Sequence, residues 1–69
     1  MKPLHCERVR GTKKDELRLG IASWDKGSGK ERSIKYTWFD KLGRAARGGE
    51  VPIIALRQMF SFAKRRGYM

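Results

Sequence analysis

The residues best suited to chemistry run from Ser33 to Gly49: Ser33-Ile34-Lys35-Tyr36-Thr37-Trp38-Phe39-Asp40-Lys41-Leu42-Gly43-Arg44-Ala45-Ala46-Arg47-Gly48-Gly49. Aromatic and β-branched residues come first, then a turn closed by glycine, then a basic arm that contains glycine. Rings beside cationic side chains on an extended backbone suit single-stranded nucleic acid. The bases stack on the rings and the phosphates meet the cations. Trp24, with Arg18 and Lys26 nearby in sequence, is a second place where ring and cation come together.

Other chemistries find less support. His5 and Cys6 are adjacent and have no third ligand of the same kind. A structural zinc normally takes four ligands in recognisable spacing. Adjacent His and Cys near a chain end do not make an oriented nucleophile–base pair either. The carboxylates are scattered among basic residues and read as surface charge. Gly27-Ser28-Gly29-Lys30 holds Trp24 and Glu31 where a phosphate-binding loop requires Gly and Ser or Thr, so it reads as a hairpin tip. The expectation is a protein without catalysis, metal or cofactor.

Charge is the strongest signal in the composition. Seventeen Lys and Arg against seven Asp and Glu give a net +10 on 69 residues. A field of that size favours polyanionic partners. Nucleic acid leads; an anionic membrane surface and an acidic protein are the other candidates, and charge alone does not separate the three. No apolar run reaches transmembrane length, and the N-terminus lacks the apolar core of a signal peptide. One free cysteine, Cys6, suits a reducing compartment. The expected location is therefore cytoplasmic, and the charge also fits a protein of the nucleoid. No membrane partner is expected. A chain this short, without disulfides, often enlarges its core by oligomerising, so a homodimer is expected before any motif is read.

The elements that must position these residues follow from periodicity. Residues 1–16 are basic and poor in apolar residues and read as a mobile tail, with Leu4, Cys6 and Val9 as the alternative of a short edge strand. Residues 17–69 read as one domain of sheet and helix. Leu17, Leu19 and Ile21 alternate with Arg18, Gly20 and Ala22, which predicts a strand from Leu17 to Trp24. Residues 25–31 form its turn. Arg32 to Phe39 is the second strand, with Ile34, Tyr36 and Trp38 on one face and Ser33, Lys35, Thr37 and Phe39 on the other. On the first face, a core role competes with stacking for Tyr36 and Trp38; Phe39 reads as a dimer or edge contact. Val51-Pro52-Ile53 is a short edge strand, where proline is tolerated. Leu56, Met59, Phe60 and Ala63 recur at helical spacing. Ile54 and Phe62 widen that apolar face beyond what one small sheet needs, which again points to a dimer.

In order, these parts are a hairpin, the strand Tyr36-Thr37-Trp38-Phe39-Asp40, a turn at Gly43, the arm Arg44 to Gly49 and one amphipathic helix. The arrangement resembles the transcriptional positive-cofactor family of small single-strand DNA-binding proteins, over Leu17 to about Lys64. The resemblance implies an α+β fold: a small curved antiparallel β-sheet followed by one C-terminal amphipathic α-helix. It implies dimerisation through the helices, here Leu56, Met59, Phe60 and Phe62. It makes Trp38 a base-stacking ring and Lys35 a phosphate contact. It places Trp24 close to the family's other stacking ring, Arg18 as a further basic contact, and Arg44 and Arg47 as the arm's cations. This chain departs from the family in the Thr37 that separates Tyr36 from Trp38, in a shorter arm ending at Glu50, and in a helix without an aromatic residue near its start.

The expected function is non-catalytic binding of single-stranded DNA, with RNA as the other substrate, in transcription or replication. The competing class is a phage-type interaction module that docks on an acidic surface of a host nucleic-acid enzyme, its aromatic strands serving as anchors.

Overall fold

A computed structural model describes residues 1–45 and 48–69. Strand β2, Glu16–Ile21, pairs antiparallel with β3, Arg32–Thr37. Leu17 lies opposite Tyr36 and Leu19 opposite Ile34, while Arg18 lies opposite Lys35 and Gly20 opposite Ser33. Successive strand side chains point to opposite faces, so the apolar set shares one face and the Arg18–Lys35 set the other. Both strands are shorter than periodicity predicts. After Ile21 the chain turns, with the Asp25 N–H donating to the Ala22 carbonyl at 3.1 Å. That moves Trp24 off the strand and into a turn. β3 stops at Thr37, and Phe39 makes only an isolated bridge to Ala45.

Residues 2–8 are not a mobile tail but the edge strand that Leu4 and Cys6 offer as the alternative. Lys2–Arg8 is strand β1, paired antiparallel with β2. Pro3 is admitted because β1 is an edge strand. The pairing slips between Pro3 and His5, opposite Gly20. A side-chain carbon at Gly20 would overlap the Lys2 carbonyl oxygen and come within 2.8 Å of the Pro3 Cα. Only glycine lets β1 close there.

Strand β4, Glu50–Pro52, pairs with the other side of β3, completing an open antiparallel sheet in the order β1-β2-β3-β4. A single 3₁₀ turn, Ile53–Ala55, leads into helix α1, Leu56–Arg65. The helix ends in a Schellman motif: the Tyr68 N–H bonds the Ala63 carbonyl at 3.0 Å, and Gly67 takes φ 83°. The architecture is α+β, a small antiparallel sheet followed by one C-terminal helix.

The helix does not cover a face of the sheet. None of its residues is buried. Its substantial contacts are with the 3₁₀ turn rather than with the strands. The short connection from β4 carries it off the sheet instead of back across it. Among the described residues Ala22 is the only buried apolar side chain. The radius of gyration is 13.5 Å, against roughly 11 Å for a compact chain of this length. No helix among the described residues is long and apolar enough to cross a membrane.

Candidate nucleic-acid interface

Arg18 and Lys35 stand side by side on the polar face of β2 and β3. Arg18 is oriented from two directions. Its Nε and Nη2 each donate to Glu16 Oε1 at 3.2 Å, and its guanidinium carbon lies 5.9 Å from the centroid of the Phe39 ring. Lys35 is held beside the arm. A Cβ at Gly48 would lie 2.6 Å from the Tyr36 carbonyl oxygen and 3.2 Å from Lys35 Cε, so glycine allows the returning chain to cross β3 closely here.

The two indoles are both open to solvent, Trp24 at 41% and Trp38 at 47% exposure. They sit at opposite ends of β3, roughly 20 Å apart by strand rise. Trp38 packs on Tyr36, ring centroids 5.7 Å apart and tilted by 50°. Tyr36 alternates with Lys35 along β3, so this aromatic pair lies on the face opposite the Arg18–Lys35 pair. The structure thus brings Arg18 and Lys35 together but sets Trp38 across the sheet from them. Tyr36 is anchored through its hydroxyl, which donates to Asp15 Oδ2 at 2.7 Å and so holds the phenol above its ordinary pKa.

Lys26 projects from a loop built around one carboxylate. Asp25 accepts hydrogen bonds from the backbone N–H groups of Gly27, Gly29 and Glu31 at 2.8–3.1 Å, and from the Ser28 hydroxyl at 2.9 Å. The bonds from Glu31 and Gly29 foremost hold its carboxyl well below the usual range. The amides that a phosphate-binding loop would offer to a ligand are occupied by Asp25. Arg44 folds back onto its own turn, its Nε 3.1 Å from Asp40 Oδ2. Asp40 also accepts the backbone N–H groups of Leu42 and Arg44, and the Arg44 amide foremost lowers its pKa. Arg47 lies outside the described residues.

Sequence reasoning missed one feature. A cleft of about 360 Å³ opens between the β1–β2 loop and the Asp40–Arg44 turn, lined by Arg8, Lys13, Lys14, Glu16, Phe39 and Gly43. Once Arg8 is read as part of a mobile tail, its convergence with Phe39 is invisible. The available signal is the period of two, which puts Phe39 on the face of Lys35.

The residues predicted for a dimer interface are all uncovered: Leu56 at 39%, Met59 at 48%, and Phe60 and Phe62 at 53% exposure. His5 and Cys6 are successive residues of β1 and therefore project to opposite faces. No family model, curated protein or solved structure matches this chain significantly.

Proposed function

We propose that this protein binds single-stranded nucleic acid without catalysis, DNA foremost and RNA as the alternative, as a cytoplasmic homodimer serving transcription or replication. The observation that carries the reading is the cross-strand pair Arg18 and Lys35, set beside Phe39 on one face of the sheet. The exposed indoles at the two ends of β3 add stacking surfaces, and the net charge of +10 adds long-range attraction. The resemblance to the positive-cofactor family points the same way. A second copy is the natural cover for α1, none of whose residues is buried.

A gel shift with unpaired oligonucleotide at two salt concentrations tests the reading. Binding that weakens steeply with salt is expected, because phosphate contacts release counterions. Absence of binding near physiological salt would sink it. One observation favours a second reading: the uncovered helix face in a strongly basic chain also suits docking on an acidic protein. A chain that binds no single strand and runs as a monomer would support that interaction module instead.

A further inference from the structure

The cleft beside Phe39 has the construction of a site for one nucleotide. Its cationic wall is a closed loop. The Arg8 Nη2 donates to the Lys13 carbonyl at 2.6 Å, Thr12 Oγ1 donates to the Val9 carbonyl at 2.8 Å, and the Val9 N–H donates to the Asp15 carbonyl at 2.9 Å. These bonds fix Arg8 and the backbone of Lys13 relative to each other. The opposite wall is the turn organised by Asp40, in which Gly43 takes φ 78°. Phe39, half-buried, lines the cleft between them.

The carboxylates near this cleft already have partners. Glu16 is paired with Arg18 at 3.2 Å, Asp40 with Arg44 at 3.1 Å, and Asp15 accepts the Tyr36 hydroxyl at 2.7 Å. Arg8, Lys13 and Lys14 take part in no ion pair among the described residues. Three cations outside any ion pair therefore line one cleft with an apolar ring, although Glu16 shares the lining and Lys14 lies close enough to Asp40 to help lower its pKa. A phosphate alone would satisfy the cations and leave the ring unused. A carboxylate side chain alone would do the same. A nucleotide supplies both halves, and 360 Å³ falls at the lower end of volumes that hold one small ligand.

We propose that this cleft seats one nucleotide of a bound single strand, its phosphate between Arg8, Lys13 and Lys14 and its base against Phe39. The inference rests on the nucleic-acid reading above and deepens it. The cleft lies on the polar face, so a strand leaving it runs past Arg18 toward Lys35.

The full chain, a fluorescein-labelled deoxythymidine 12-mer and anisotropy over a salt series provide the test. Lys13 and Lys14 are exposed, so K13A/K14A keeps the fold. It is expected to weaken binding about tenfold at low salt and to reduce the slope of log K against log salt by ~1–2. F39L is expected to weaken binding by ~5-fold or more and leave the slope unchanged. A control with the same charge loss on the helix, K64A/R65A, is expected to bind as the parent does. Parent-like affinity and slope in K13A/K14A, or equal weakening in the control, would overturn the cleft while leaving nucleic-acid binding standing. A parent that binds no single strand would remove both.

Discussion

Arg18 and Lys35 are direct partners across the β2–β3 ladder, two cations on one face of the sheet. Like charges placed opposite each other work against the folded sheet. Arg18 is offset by Glu16 and by the Phe39 ring. Lys35 has Glu50 opposite it on β4, but that carboxylate is turned toward Ser33 and Ser23. A bound phosphate would relieve the repulsion between the two cations.

Lys35→Gln separates a binding role from a structural one. Affinity for single strand should fall several-fold, and the salt slope should drop by ~1. Stability measured by urea unfolding should stay within ~0.5 kcal/mol of the parent. A loss of stability in step with the loss of affinity would make Lys35 a structural residue instead.

Trp24 and Trp38 are exposed at opposite ends of β3, too far apart to share one base. If both stack on nucleic acid, their contributions should add, since distant sites couple weakly. W24A and W38A should each cost ~1–3 kcal/mol of binding free energy, and the double variant should cost the sum. Quenching of indole emission in W24F and W38F, which leave one tryptophan each, reports which end is occupied. An alanine variant that binds as the parent does removes that ring from the interface.

The β2–β3 hairpin is legible in the sequence because Leu17, Leu19 and Ile34 alternate with polar residues and pair on one face. Strand β1 is legible only as the weaker alternative to a tail, through Leu4 and Cys6, because all seven of its residues are exposed and burial leaves no periodic trace. What makes β1 a strand is the free edge of β2, a tertiary fact. The helix is legible as an element through Leu56, Met59, Phe60 and Ala63. Periodicity shows that such a face is apolar; it does not show what covers it. The cleft fails to appear in the sequence for the same reason as β1. Arg8, Lys13, Lys14 and Phe39 meet only once β1 has paired and the Asp40 turn has formed.

Glu50 predicts a dependence on acid. Its Oε1 accepts the Ser33 hydroxyl at 2.8 Å and the Ser23 backbone N–H at 2.9 Å, and its Oε2 lies 3.6 Å from the N-terminal amine. Partial burial pushes the carboxyl pKa up, but the bonds from Ser23 and Ser33 outweigh it, and the value falls from 4.5 to about 2. A folded pKa below the unfolded one means that ionised Glu50 stabilises the fold above pH 4.5 and loses that effect as pH falls through about 2. Asp25 and Asp40 are shifted in the same direction, so the parent alone cannot isolate Glu50. Glu50→Gln should lower stability by ~1–3 kcal/mol at neutral pH, with the fully buried Ser33 left with a weaker partner. The gap to the parent should narrow from pH 4.5 toward pH 2. A gap that stays constant over that range would show that the charge on Glu50 contributes nothing.

The helix predicts a second copy. One buried apolar residue among those described, Ala22, is too small a core for a chain of 69. The missing burial must come from surfaces now open, and α1 offers the largest continuous set in Leu56, Met59, Phe60 and Phe62. Two copies meeting through these residues bury the same patch twice, as a two-fold interface requires. Light scattering on the eluted protein should give twice 8.0 kDa. The thermal midpoint should rise with protein concentration, because association stabilises by mass action. F60E/F62E places charge in the contact and should give a monomer with a lower midpoint. A parent that elutes as an 8.0 kDa monomer with a concentration-independent midpoint would rule out a second copy as the cover of the helix.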